Sequence, residues 1–143
     1  MKSMVPFIAV VASLGVAVLG GCSSAPPVDV KVVVRHERIG DGAITMPADF
    51  QYLTITVRAH AVRIDNILVN QGRCILDESS TQIGLGRYGL GKPQVPQFPK
   101  NLAFGDQLEY SFPAGRVLGG RSCNVIAVEV DTDQGNFTSS FEN

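Results

Sequence analysis

Tyr52-Leu53-Thr54-Ile55-Thr56-Val57-Arg58-Ala59-His60 is the stretch on which the fold turns. Leu53, Ile55, Val57 and Ala59 alternate with Tyr52, Thr54, Thr56, Arg58 and His60. A period of two puts the first set on one face of a β-strand and the second on the other, so one face is buried and one is wet. The threonines, isoleucine and valine add β-branched side chains, which suit a pleated surface better than a helix.

The same signal recurs on both sides of this stretch. Upstream, Val30 to His36 is apolar and β-branched and reads as a first strand, closed by a loop punctuated at Gly40, Asp41, Gly42 and Pro47. Downstream, Val62 and Ile64 keep step up to Asp65-Asn66, after which Leu68 follows in a shifted phase, so a turn or bulge is expected there. Asn70-Gln71-Gly72 ends that strand two residues before Cys74. Leu108, Tyr110 and Phe112 alternate with Gln107, Glu109 and Ser111 as a further strand. Past a glycine-rich turn at 115 to 120, Cys123 opens another strand, with Ile126, Val128 and Val130 expected on one face and Val125, Ala127, Glu129 and Asp131 on the other. Thr132-Asp133-Gln134-Gly135-Asn136 signals a hairpin, and Phe137 with Phe141 fits a last strand returning beside it. No run has helical period. About six or seven short strands with turns between them predict an all-β sandwich.

Ile75 to Asn101 breaks the pattern. Gly84, Gly86, Gly89, Gly91, Pro93, Pro96 and Pro99 punctuate it, so it reads as a long excursion between two halves of the sheet. Two apparent nucleotide motifs lie inside. Gly84-Leu85-Gly86-Arg87-Tyr88-Gly89 satisfies the dinucleotide spacing, and Gly86 to Lys92 most of a phosphate loop until Pro93 stands where Ser or Thr should be. Both motifs need a helix whose N-terminal amides hold the phosphate, and prolines at 93, 96 and 99 block one. The alternative use of the excursion is as a contact surface, since Arg87, Tyr88, Lys92 and Phe98 are of types enriched at protein interfaces.

The N-terminus decides where such a domain works. Lys2 is followed by an apolar run from Val5 to Leu19, broken only by Ser13, and then by Leu19-Gly20-Gly21-Cys22. This three-part layout is that of an export signal, and the run is too short for a spanning helix of ~20 apolar residues. Leu19-Gly20-Gly21-Cys22 resembles the lipobox of bacterial lipoproteins. The resemblance implies cleavage after Gly21, diacylglycerol on Cys22 and a lipid tether to the membrane. Ser23, where an aspartate marks retention at the inner membrane in many Gram-negative bacteria, favours the periplasmic face of the outer membrane.

On that reading residues 1–21 are a signal peptide, 22–29 carry the lipidated cysteine and a proline-bearing tether, and 30–143 form one β-sandwich domain. Lys2 is the only charged residue of the signal, so 11 of the 12 basic residues and all 13 acidic ones stay, a net of −2. That is not the basic footprint of a nucleic-acid binder. With Cys22 acylated, Cys74 and Cys123 remain as an even pair in an oxidising compartment, where a disulfide is expected. The alternative, a metal site or nucleophile, lacks a second Cys or a His nearby in sequence. The placement of the pair is loosely similar to that in immunoglobulin-like domains, where a bridge ties the two sheets together, although the chain has no tryptophan for the core of that family.

Catalytic groups are scarce. His36 and His60 are the only histidines and read as surface residues, and no Gly-x-Ser-x-Gly elbow occurs. Asp131 and Asp133 fall short of the alternation a calcium loop needs and are explained by turn chemistry. Neither a cofactor nor enzymatic activity is expected. The expected role is that of a lipid-anchored envelope protein acting as a binding or structural module, such as an accessory subunit of a secretion, conjugation or surface-assembly system, with an envelope protein as partner. The alternative is a periplasmic small-ligand or metal-binding lipoprotein using His36, His60 and nearby carboxylates.

Overall fold

The computed structural model describes residues 25–41, 43–82, 85–115 and 120–142. The signal segment, the lipobox and Cys22 lie outside the described residues. Seven strands follow in order: β1 (Val28–Asp41), β2 (Ile44–Val57), β3 (Ala61–Val69), β4 (Lys100–Ala103), β5 (Gln107–Ala114), β6 (Ala127–Thr132) and β7 (Gly135–Ser140). One 3-10 turn, Leu85–Tyr88, interrupts the excursion. Among the described residues no helix is long and apolar enough to cross a membrane.

The strands make two antiparallel sheets, β1-β2-β5 and β4-β3-β6-β7. Strands one, two and five in one sheet and three, six and seven in the other is the connection pattern of an immunoglobulin-like sandwich, with β4 paired to β3 instead of to β5. Leu53, Ile55 and Val57 of β2 meet Val62, Ile64 and Val69 of β3 and Val128 and Val130 of β6, all of them buried, in the core between the sheets. Tyr110 and Phe112 of β5 close it on the same side as Leu53 and Gln51, the residues they pair with.

The alternation expected in 52 to 60 holds for the inner face as far as Val57, where β2 ends and leaves Arg58, Ala59 and His60 outside it, but burial of β2 is wider than one face. Phe50, Gln51, Tyr52 and Leu53 are all buried in succession. The excursion lies across the outer face of the three-stranded sheet there, so both faces of β2 are covered. A second small core of Ile39, Ala48, Phe50 and Tyr52, with Tyr88 packed on it, occupies that outer side.

Three local expectations need correction. Pro47 sits inside β2, paired with Arg38, and β1 runs on to Asp41. Among the described residues the pairing of β2 with β5 stops at Asp49, and Pro47 pairs there with β1 alone, the setting in which a strand tolerates a missing N–H. Ile126 is exposed and out of phase with Val128, whereas Val125 is fully buried. Asn70 is the cause: its Oδ1 accepts the consecutive N–H groups of Ile126 (2.9 Å) and Ala127 (3.1 Å), which bends the chain before β6 and shifts its phase. The Cys74–Cys123 disulfide forms, with Cα atoms 5.8 Å apart, but does not bridge the two sheets. It joins the segment leaving β3 to the segment entering β6, and those strands are neighbours in one sheet. The bulge expected at Asp65-Asn66 is present as a register shift between Ile64 and Asn66. The final hairpin pairs Thr132 with Gly135 as read.

Candidate functional site

The outer face of the three-stranded sheet gathers most of the polar chemistry. Arg87, carried by the 3-10 turn, donates to the Tyr52 hydroxyl (2.8 Å) and to Glu37 Oε2, and Tyr52 donates to Glu37 Oε1 (2.7 Å). Arg35 lies 4.3 Å from the centroid of the Tyr52 ring, and Arg87 5.2 Å from that of Phe50. Burial, then the hydrogen bond to Glu37, raises the Tyr52 hydroxyl above the usual phenol range, so it stays a neutral donor. Tyr88 tilts onto Phe50 with centroids 6.2 Å apart. These bonds make a latch that fastens the excursion to the sheet, with Arg87 Nε left buried and without a hydrogen-bond partner among the described residues.

A second hub lies where the excursion begins. Asp77, 6% exposed, accepts through Oδ1 from Ser79 N (3.0 Å), Ser79 Oγ (2.6 Å) and Gln94 N (3.0 Å). Its other oxygen lies 3.5 Å from Nη2 of Arg121. Arg121 also donates from its backbone to Gly89 O (3.0 Å) and from Nη1 to Gly91 O (2.7 Å). The glycines follow from this close approach. A Cβ on Gly89, whose φ is +68°, would fall 2.4 Å from the Arg121 carbonyl oxygen, and one on Gly120 would fall 2.1 Å from that of Tyr88. Of the glycines that imitate a nucleotide motif, Gly89 is thus explained by the approach of two chain segments, whereas Gly86 lies against Ser79 and Gly91 has nothing within 4 Å. Ser80 completes the seam, its Oγ accepting from Ser111 N (2.9 Å) and its carbonyl from Ser111 Oγ (2.6 Å).

Concave features are small. A cleft of about 200 Å³ beside the cystine is lined by Arg73, Asp77, Ser80, Arg121 and Ser122. An apolar groove of about 290 Å³ runs between Leu68, Ile75, Val95, Pro96 and Phe98. Both fall below the range of a typical small-molecule site.

The residues singled out from sequence are dispersed. Arg87 and Tyr88 turn inward to the latch and are half-buried. Phe98 packs against the main core with the Lys100 ammonium 6.0 Å from its ring, and Lys92 is exposed. His36 bonds Asp49 (2.7 Å) out on the β1–β2 hairpin, whereas His60 lies just past the far end of β2. Among the described residues no group of three or more His, Cys, Asp or Glu could hold a metal ion. The sequence reading did not single out Asp77 and missed the structural roles of Asn70 and Glu37. Only Asn70, in an Asn-Gln-Gly turn, carried a local signal.

The remaining prominent surface is the hairpin itself. Among the described residues, Ile44 to Ala48 extend past the end of the β2–β5 pairing, about 17 Å of strand at ~3.3 Å per residue. Ile44, 78% exposed, and Met46, also exposed, stand on this projection. The chain matches no family model, no curated protein and no solved structure.

Proposed function

We propose that the protein is a lipid-anchored envelope protein that acts by binding: a sandwich held through acylated Cys22 at the periplasmic face of the outer membrane, serving as an accessory subunit of a secretion, conjugation or surface-assembly system. The lipobox at Leu19–Cys22 supports the anchor. The observation that carries the binding role is the projecting β1–β2 hairpin. The extension is already packed through Ile39 and Ala48 in the second core, so folding gives no reason to leave Ile44 and Met46 on it exposed. Their distance from Val28, at the opposite end of β1, turns them away from the tether. A partner that covers this tip accounts for the exposure of both side chains.

A photo-crosslinker in place of Ile44, in the acylated full-length protein in living cells, tests this. The expected result is one discrete protein adduct that disappears on Met46→Asp and does not form from a crosslinker at exposed Asp133, in the β6–β7 turn. No adduct, or the same adduct from both positions, counts against the reading.

A further inference from the structure

We infer that the end of the sandwich from which the tether leaves is a membrane-contacting face, with Phe104 seated at the headgroup boundary of the bilayer. This rests on the lipid-anchored reading above and adds to it an orientation and a contact residue.

The geometry begins at the tether. The Pro27 carbonyl accepts the N–H groups of Arg58 (2.7 Å) and Ala59 (3.1 Å), so the first described residues are fixed beside the segment that follows β2. That segment also holds the β4–β5 turn, because Phe104 N donates to His60 O (3.1 Å) and Gly105 N to Val57 O (3.0 Å). The turn is closed on itself as well, with Asp106 N donating to Ala103 O (3.0 Å) and Ala103 N to Asp106 Oδ2 (2.9 Å). Gly105, at φ +87°, makes the reversal. Phe104 is therefore presented on a braced loop and yet stays 67% exposed, a neighbour of the tether exit through two shared hydrogen bonds of residues 57 to 60.

Chain length does the rest. Five residue steps separate Cys22 from Pro27, which at ~3.3–3.6 Å each allow at most about 18 Å between the acylated residue and the sandwich. An anchored body cannot leave the surface by more than this, and the contact is effectively intramolecular, so a weak apolar insertion is well populated. An aromatic ring is the side chain suited to the headgroup level. The charges around it are already engaged: Arg58 pairs with Asp29 (3.0 Å) and Asp106 caps its own turn. The contact is thus carried by the ring and needs no anionic lipid.

The chain has no tryptophan, so a single introduced indole reports its own surroundings. The test uses the full-length acylated protein in phosphatidylethanolamine vesicles containing brominated acyl chains, as Phe104→Trp and, for comparison at the opposite end, Ile44→Trp. Both sites are exposed, and both substitutions are compatible with folding. The expected result is emission at shorter wavelength and several-fold stronger quenching for Phe104→Trp than for Ile44→Trp, unchanged when phosphatidylglycerol is added. Equal, water-like emission from both variants, in protein that floats with the vesicles, overturns the inference and leaves the anchor standing. Protein that fails to float, with an unacylated Cys22 by mass spectrometry, removes the anchor and the inference with it.

Discussion

Asn70 ties the end of β3 to the cystine and to the chain entering β6. From a backbone at φ 50°, which asparagine tolerates better than most residues, its Nδ2 donates to Asn124 O (2.7 Å) and its Oδ1 takes the amides of Ile126 and Ala127. Asn70→Ala removes these three bonds to the backbone, together with the weaker ones from Nδ2 to the Cys74 and Cys123 sulfurs, and leaves an alanine in a left-handed conformation, at a cost of about 3 kcal/mol in urea unfolding of the oxidised protein. Asn70→Asp keeps the acceptor and the backbone preference and costs about half as much; equal and small losses for both refute the role. Arg87 makes a comparable contribution at the latch. Its guanidinium and Glu37 are each about a quarter exposed, enough shelter for the bonds to count. A double-mutant cycle of Arg87→Met with Tyr52→Phe, followed by denaturant midpoints, yields a coupling of about 1 kcal/mol. No measurable coupling would mean that the Arg87–Tyr52 bond adds nothing to the latch, which the Glu37 pair and the packing of Tyr88 then carry.

Strands report themselves in sequence to the extent that one face is wet. β2 and β5 were legible because Leu53, Ile55 and Val57, and Leu108, Tyr110 and Phe112, alternate with polar residues. The distal half of β1 was not, since Glu37, Arg38 and Ile39 face a latch and solvent instead of a continuous core. The break in phase before β6 was hidden for a different reason: a side chain 56 residues away imposes it. The roles of Glu37 and Asp77 escaped notice because their partners, Arg87 and Arg121, come from segments that meet them only in the fold. Tyr110 gives β5 a measurable signature. Burial, assisted by the negative charge of Glu78, pushes its hydroxyl from 10.0 up to about 12. The unfolded chain releases this proton near pH 10 while the native state keeps it, so the native state binds more protons and stability falls as pH rises between 10 and 12, then levels off. The loss is about 2–3 kcal/mol at ~1.4 kcal/mol per unit. Tyr110→Phe lacks this loss, so the difference between the two stability curves isolates it from the other groups that titrate in this range. Parallel curves would mean that the hydroxyl is solvated.

Across the whole molecule, the cystine and the latch divide the task of holding the excursion. Cys74 stands where the chain leaves β3 for the excursion, and Cys123 where it returns to β6 after β5, so the bridge encloses the excursion, β4 and β5 in one loop of 50 residues, counting both cysteines. Closing a loop of that length removes chain entropy from the unfolded state worth about 4 kcal/mol. Against a total stability of ~5–15 kcal/mol this is large enough to decide whether the domain stays folded at growth temperature. Because the bridge lies at one end of the β3–β6 pair and crosses no sheet interface, its loss leaves the register of both sheets intact. The Cys74→Ala/Cys123→Ala protein should therefore unfold at lower denaturant by an amount equivalent to about 3–4 kcal/mol, yet keep the native amide-exchange protection of Leu53, Ile55 and Val130 in buffer. The segment from Asp77 to Gly91 behaves differently. It is fastened at its root by the cystine and further along by Arg87, Ser80 and Arg121, so losing the first attachment lowers protection there before anywhere else. Uniform loss of protection across both sheets would mean that the bridge supports the core itself, and that the excursion is not a separately opening unit.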